Sequence, residues 1–260
     1  MNESIINEIK ERALSFGGKV GIVWRDLVTG EHFEMGETTP LMAASTIKMS
    51  IMAEAERQFE AGLASRDEIY ILKESDKVPS CGALTYMHEG LEITLLDLVT
   101  LMIILSDNTA TNILIRRFGY EAINGFIKSR GMKETVLRRE MFDYESAKKG
   151  MQNYICAADL ADMLEAMYKG ELVNAHASAE MLDILKKQRL NSKLPFILHS
   201  LPESIPIAHK TGEDDEITHD VGIIFGKHPF VLCICANGID VPMFERFMQD
   251  TAYTLYQNTL

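Results

Sequence analysis

Hydrophobic residues near the start of the chain first recur at helical spacing and then change to a strand pattern. Apolar side chains stand among charged ones at Ile5, Ile6, Ile9, Ala13 and Leu14. This spacing predicts an N-terminal helix. The next stretch, "GKVGIVWRDLVTGEHFEM", predicts a β-hairpin with strands at residues 20–25 and 31–35 and a turn at Thr29-Gly30.

The middle of the chain, from Pro40 to about Lys187, has a helical pattern. Its most apolar part runs from Leu95 to Leu105 and is too apolar for a surface helix. We therefore expect this helix to cross the middle of a helical lobe. The stretch "AADLADMLEAMYKG" predicts another amphipathic helix, which ends at Gly170.

A strand pattern returns near the C-terminus. The runs "IPIAHKTG", "THDVGIIFG" and "FVLCICAN" predict short strands, and "VPMFERFMQDTAYTLYQ" predicts a final helix with Pro242 near its start. The predicted fold is α/β (α+β), with an antiparallel sheet formed from both chain ends, flanked by the terminal helices, and an inserted all-helical lobe. The sheet lobe is expected to span 1–42 and 206–260, and the helical lobe 43–205, within a single compact unit.

Charge and length limit the partners of this fold. The chain has 260 residues and a formal net charge of -12, which argues against non-specific binding to nucleic acid and against adhesion to anionic lipid. No apolar run reaches membrane-spanning length, and the N-terminal segment lacks the features of a secretory signal. We therefore expect a cytoplasmic monomer, exported only if a signal was removed.

Cysteines and histidines give no sign of a metal or cofactor. The four cysteines, Cys81, Cys156, Cys233 and Cys235, form no C-x-x-C pair, and the seven histidines form no H-x-x-x-H or H-x-H pair. This usage is typical of a reducing compartment. We expect no metal site and no cofactor.

The stretch "ASTIKMS" places Ser45 three residues before Lys48, at the start of an apolar helical run. On a helix, such residues share one face. A serine hydroxyl needs a base to become a nucleophile, and a lysine with a lowered pKa can supply it. The spacing alone equally allows a helix cap with a solvated lysine, and Ser146 and Lys149 repeat it in a polar stretch.

Two further motifs carry polar side chains at the ends of predicted elements. Ser106-Asp107-Asn108 follows the most apolar helix, where polar groups are costly to bury without hydrogen bonds. A helix cap accounts for Asp107 but not for both of its neighbours. Lys210-Thr211-Gly212 closes a predicted strand, where Gly212 would allow another backbone or a substrate to approach closely.

In this order and on these elements, S-x-x-K, S-D-N and K-T-G resemble the serine β-lactamase and penicillin-binding protein superfamily, most closely the class A β-lactamases. The resemblance covers nearly the whole chain. It implies that Ser45 is the acylated nucleophile and that Lys48 is its base or part of the proton relay. Ser106 would then pass the proton to the leaving nitrogen.

The resemblance also implies a set of substrate-binding residues. Asn108 would hold the side-chain amide of the substrate, and Lys210 and Thr211 would bind its carboxylate beside Gly212. Lys210 would also keep Lys48 partly neutral by repulsion between like charges. The backbone N–H groups of Ser45 and Glu213 would form the oxyanion hole.

The sequence departs from the family pattern at two places. The expected water-activating glutamate matches Glu140 in "RREMFDY", but the proline, second glutamate and asparagine of the family loop are missing. Asp143 and Glu145 stand close enough for the match to shift. Val221 occupies the position of a carboxylate-binding arginine, and residues 213–216 add four carboxylates beside the K-T-G motif.

The sequence therefore predicts a serine hydrolase of the class A β-lactamase family. It would be acylated at Ser45 and would hydrolyse a β-lactam or a related cyclic amide, with slow deacylation because the Glu140 loop is incomplete. A cytoplasmic peptidase of the D-alanyl-D-alanine type or an esterase would use the same serine chemistry on another amide or ester. A third alternative is a penicillin-binding sensor module without turnover.

Overall fold

A computed structural model of the chain describes residues 2–79 and 81–259. The helices in these ranges are α1 (Glu3–Leu14), α2 (Lys48–Glu60), α3 (Leu95–Ile104), α4 (Asn108–Phe118), α5 (Tyr120–Ser129), α6 (Tyr144–Lys148), α7 (Ala157–Tyr168), α8 (Ala175–Leu185), α9 (Pro195–Leu198) and α10 (Val241–Gln257). The strands are β1 (Lys19–Asp26), β2 (His32–Met35), β3 (Leu41–Met42), β4 (Ile69–Ile71), β5 (Glu92–Thr94), β6 (Tyr154–Ile155), β7 (Ile207–Asp214), β8 (Ile217–Ile224) and β9 (Phe230–Asn237).

The chain divides into two compact units. The first, the sheet unit, comprises residues 1–46, 155–166 and 190–260, and the second, the helical unit, comprises residues 47–154 and 167–189. Residues 43–46, 155–166 and 190–205, which the sequence analysis assigned to the helical lobe, lie in the sheet unit. The helical pattern of "AADLADMLEAM" predicted the conformation of residues 157–166 but carried no information about the unit they pack in.

A five-stranded sheet in the order β2-β1-β9-β8-β7 forms the centre of the sheet unit. All four neighbouring pairs are antiparallel. The first two strands come from the start of the chain and the other three from its end, which confirms the predicted antiparallel sheet built from both termini. β7, which carries the K-T-G motif, is an edge strand, so one row of its backbone N–H and C=O groups is not paired with another strand of this sheet.

The terminal helices cover an apolar face of this sheet. Trp24 on β1 stacks on Phe33 of β2, and both belong to one buried cluster with Phe244 and Phe247 of α10. Phe16, just after α1, meets the ring of Phe244 edge-on at 4.9 Å. Burial of these large rings supplies much of the hydrophobic stabilisation of the unit.

The helical unit is built around α3, as its apolar sequence predicted. Thr94 caps this helix by accepting a hydrogen bond from the Asp97 N–H, and Leu98, Val99 and Ile103 are fully buried. The unit also contains a short antiparallel pair, β4 and β5, which the sequence did not predict. Each of these strands has three residues, too few for an alternating pattern to show.

His219 on β8 is a fully buried imidazole in the sheet unit. Its Nε2 lies 2.8 Å from the carbonyl oxygen of Met42, and its Nδ1 accepts a hydrogen bond of 3.1 Å from the Ala236 N–H. A backbone N–H can only donate, so Nε2 carries the proton of a neutral ring. Burial lowers the pKa of His219 from its ordinary value of 6.5 to about 4.

This burial predicts a loss of stability in acid. The unfolded chain takes up a proton at His219 below its ordinary pKa of 6.5, whereas the folded chain resists protonation down to about 4. The stabilising contribution is therefore fully present above pH 6.5 and is lost as the pH falls towards 4. Between about pH 7.5 and about pH 4.5, we expect His219 to account for a decrease of about 3 kcal/mol in the free energy of unfolding.

Urea unfolding of the wild type and of His219→Gln at both pH values measures this contribution. The glutamine variant is less stable at neutral pH but does not titrate in this window, so its decrease on acidification should be smaller by the stated amount. Equal decreases in the two proteins would show that His219 does not resist protonation in the folded state.

Candidate active site

Ser45 lies in a 3-10 turn, Ala44–Ile47, which α2 follows directly at Lys48. The turn begins with Ala44 at a φ of 41°, in the left-handed region that costs a residue with a Cβ atom about 1 kcal/mol or more. Ile47 occupies the N-cap position of α2 and makes no side-chain capping bond. Ser45 is therefore not the cap of this helix, and the capping interpretation of S-x-x-K is wrong here.

Lys48 begins α2 with a fully buried side chain. Its Nζ donates to the carbonyl oxygen of Ser106 at 2.7 Å, to Ser106 Oγ at 3.0 Å and to Asn108 Oδ1 at 2.8 Å. The helical unit thus brings together three of the predicted site residues. A solvated lysine is excluded at this position, whereas Lys149 of the second S-x-x-K sequence is exposed, as that interpretation predicts.

Asp107 explains how the S-D-N sequence is held between α3 and α4. One carboxylate oxygen accepts the N–H groups of Ala83 and Leu84 at 2.7 and 2.9 Å, and the other accepts the Ala110 N–H at 2.9 Å as the N-cap of α4. The predicted cap is confirmed. Because Asp107 is fixed from two segments, its neighbour Ser106 can be held at an unfavourable φ of 54°, where its side chain meets Lys48.

The K-T-G motif lies on the edge strand β7 of the sheet unit. Lys210 and Thr211 are buried, and Lys210 Nζ donates to the carbonyl oxygen of Thr211 at 2.7 Å. A Cβ atom on Gly212 would lie 3.2 Å from Thr46 Cγ2 and 3.3 Å from Ala44 Cβ. Because Gly212 has no side chain, β7 can lie against the turn that carries Ser45. This is the close backbone approach that the sequence predicted at Gly212.

The acidic residues after Gly212 form the exposed β7–β8 hairpin. Residues 213–216 are all exposed, so these four carboxylates are solvated. The side chain of Glu213 nevertheless comes within 3.2 Å of Lys193 Nζ. On β8, Val221 is buried and pairs with Lys210 across the strands, so this position supplies no guanidinium group.

Glu140 makes an ion pair with Arg116 on α4, with Oε2 2.8 Å from Nη1. The same guanidinium binds Asp76 through Nη2 at 2.9 Å. Arg116 stands eight residues after Asn108 on this helix, which is about 12 Å along its axis. The carboxylate of Glu140 is thus paired with a cation about two helical turns from Asn108, and its role as a deacylation base stays a prediction.

Asn112 fixes the residue that follows Glu140. Its Oδ1 accepts the Met141 N–H at 2.8 Å, and its Nδ2 donates to the Met141 carbonyl oxygen at 3.0 Å. Phe142 comes next, at a φ of 62°. Asn112 lies one helical turn after Asn108, so it holds the Met141 backbone about one turn from a residue that contacts Lys48. The side chain of Met141 cannot take a proton.

Sequence reasoning missed three residues that shape these sites. Asn112 shares a helix face with Asn108, a spacing that could have indicated its role. Arg116 and Lys193 gave no signal, because a charged residue on an amphipathic helix or in a loop is usually solvated.

Metal-ligating clusters and membrane-spanning helices were sought among the described residues. Residues 2–79 and 81–259 contain no group of three or more His, Cys, Asp or Glu side chains arranged to hold a metal ion. The same ranges contain no helix that is both long and apolar enough to cross a bilayer. Cys156, Cys233 and Cys235 are buried, and burial raises the pKa of the Cys156 thiol to about 12.

Comparisons with known proteins identify the fold and the family of the chain. A β-lactamase of Rhodobacter capsulatus is 25% identical over 174 residues, which are 65% of this chain and 58% of that relative, so the match spans little more than half of its length. A crystal structure of a β-lactamase from Sphaerobacter thermophilus has 30% identity and a TM-score of 0.91, and the match covers 100% of this chain and 98% of that one.

A variant of PBP-A, solved as an acyl-enzyme complex with penicillin G, has 24% identity and a TM-score of 0.88, with 99% of this chain and 96% of that chain covered. The sequence profile of the beta-lactamase enzyme family matches residues 4–259. The chain therefore belongs to the beta-lactamase enzyme family.

Proposed function

We propose that this protein is a serine hydrolase that is acylated at Ser45 by a β-lactam or a related cyclic amide. The observation that carries the proposal is the buried contact of Lys48 Nζ with Ser106 Oγ and Asn108 Oδ1. A lysine of this kind, three residues after a serine, is the base that serine acylation requires. A purely structural lysine would not need a hydroxyl at an unfavourable φ beside it.

The proposed acylation moves one proton along these groups. The neutral amine of Lys48 takes the proton of the Ser45 hydroxyl as Oγ attacks the carbonyl carbon. The amide C–N bond then breaks, and the departing nitrogen receives a proton from Ser106, which Lys48 replaces over the 3.0 Å contact. The products of this step are a Ser45 ester and a free amine.

The remaining predicted residues would bind and polarise the substrate. The N–H groups of Ser45 and Glu213 would stabilise the developing oxyanion. Lys210 and Thr211 would bind a carboxylate. Lys48 already occupies Oδ1 of Asn108 at 2.8 Å, so the NH2 group of Asn108 would donate to the acyl side chain of the substrate.

Deacylation is proposed to be slow. The carboxylate of Glu140 is bound by Arg116, and Met141, which Asn112 holds nearer to Asn108, has no group that can activate water. An enzyme with fast acylation and no positioned base accumulates its acyl-enzyme.

A second candidate is an esterase or a peptidase of the D-alanyl-D-alanine type. Val221 offers no fork for a carboxylate, and the exposed acidic hairpin at 213–216 repels anionic substrates. Both features favour an uncharged ester over a penicillin, whereas a D-alanyl-D-alanine peptide carries a carboxylate of its own. A penicillin-binding sensor would instead form one adduct without turnover.

Turnover of a chromogenic cephalosporin and of an activated ester tests the proposal. Ser45→Ala and Lys48→Ala should each lower the rate by about a thousandfold or more, because both remove a group that takes part in bond making. Ser146→Ala and Lys149→Ala are matched controls from the second S-x-x-K sequence and should leave the rates unchanged.

Equal losses in the two serine variants would exclude Ser45 as the specific nucleophile. Ester turnover without cephalosporin turnover would select the second candidate. A single stable adduct with neither activity would select the sensor.

The position of the deacylating carboxylate gives a separate prediction. Moving it from Glu140 to the next residue, in Met141→Glu, places it on the backbone that Asn112 holds. We expect deacylation to become about tenfold faster or more, within the usual range for a positioned general base. Glu140→Gln should leave deacylation unchanged and cost at most about 1 kcal/mol of stability, because its ion pair with Arg116 is partly exposed.

Stopped-flow measurement of adduct decay in both variants provides the test. A large decrease in the decay rate for Glu140→Gln, with no gain for Met141→Glu, would restore Glu140 as the base.

A further inference from the structure

Lys193 is a fully buried lysine in the sheet unit, just before α9. Its Nζ lies 2.6 Å from Thr218 Oγ1 and 3.2 Å from the carbonyl oxygen of Gly212. Two carboxylates complete its surroundings, with Oε2 of Glu213 at 3.2 Å and Oε1 of Glu245 at 3.1 Å. Every one of these partners is an oxygen, and two of the four belong to adjacent residues of the edge strand β7.

A buried ammonium is costly unless it is paired and hydrogen-bonded. Here the carboxylates of Glu213 and Glu245 pair with it, and the hydroxyl of Thr218 and the carbonyl of Gly212 accept from it. Replacing such a lysine with an apolar residue would be simpler if only packing were needed. Lys193 also contacts the main-chain carbonyl of Gly212 in the K-T-G motif, so its charge acts on that peptide unit as well.

The carbonyl of Gly212 and the N–H of Glu213 belong to the same peptide unit. None of the described peptide bonds is cis, so this unit is planar and its N–H points away from its C=O. Because Lys193 contacts the carbonyl oxygen, the N–H of Glu213 is directed to the opposite side. A cation at the carbonyl also draws electron density from the nitrogen, which makes the N–H a stronger hydrogen-bond donor.

The same peptide lies close to the turn that bears Ser45. A Cβ atom on Gly212 would lie within 3.2 Å of Thr46 and 3.3 Å of Ala44, the residues on either side of Ser45. The Gly212 peptide is therefore close to the backbone that carries Ser45. All of these contacts lie within the sheet unit.

We propose that Lys193 is a positioning residue that orients and polarises the Glu213 N–H as an oxyanion-hole donor, while it neutralises the Glu213 carboxylate beside it. The inference rests on the proposed function in assigning the oxyanion to the Glu213 N–H. It adds to that function an indirect stabilisation of the oxyanion, by a residue that touches no reacting atom.

A purely structural role for Lys193 makes a different prediction. It would lower stability when removed but would leave the electronic state of the Glu213 amide unchanged in a folded variant. Measurements on that amide therefore separate the two roles.

The first test follows the Glu213 amide in the free protein by ¹H–¹⁵N correlation spectroscopy. Lys193→Met should move the amide proton upfield, because the polarising charge is lost. Glu245→Gln should move it downfield, because Lys193 then keeps its position with one counter-charge fewer. The opposite signs exclude a general loosening of the strand, and Lys186→Met, which removes an exposed lysine just after α8, should cause no shift.

The second test compares acylation kinetics. Lys193→Met should lower the acylation rate constant about tenfold, less than the hundredfold or more that deletion of an oxyanion donor costs, with little change in noncovalent substrate affinity. Lys193→Arg should recover part of this loss. A loss confined to affinity, or an unchanged acylation rate in a folded Lys193→Met protein, would overturn the proposal.

The outcomes separate this inference from the proposed function. If the wild type forms no adduct, the proposed function fails, and the amide shifts alone decide whether Lys193 polarises the peptide. If Lys193→Met does not fold, the downfield shift in Glu245→Gln decides it, and no shift there would contradict the inference.

Discussion

The burial of the Lys48 side chain is the constraint on which the helical unit depends. An amino group with no solvent contact needs hydrogen-bond partners, and Lys48 Nζ has three oxygen partners on Ser106 and Asn108. Asp107 holds these two residues in place through three backbone N–H groups. The S-D-N sequence is therefore one structural device: its central residue fixes the backbone, and its outer residues meet the lysine.

In the sheet unit, the buried side chain of Lys193 lies beside the edge strand β7. Lys193 contacts the peptide that follows Gly212, and Gly212 has no side chain to hold β7 away from the Ser45 turn. Strain is stored at corresponding points, since Ala44 and Ser106 both have positive φ values. Such backbone conformations persist only where the surrounding contacts determine them.

The sequence was sufficient for the features that have a local signature. The period of apolar residues predicted the sheet strands and the buried helix α3, and the motif order indicated the family. Contacts without such a signature were not predictable. Arg116 pairs with Glu140 across 24 positions of the chain, and the residues around "RREMFDY" give no indication of that pairing. The contacts of Lys193 were equally unpredictable, because its partners lie on β7, β8 and α10, far from it in the sequence.

The central claim is that Ser45 becomes acylated and that Lys48 makes this possible. Intact-mass spectrometry after incubation with a penicillin, followed by peptide mapping, tests it most directly. The account predicts one adduct per chain, located on Ser45, that forms far more slowly in Lys48→Met and persists because deacylation is slow. An adduct on another residue, or equally fast labelling of Ser45 in Lys48→Met, would contradict it.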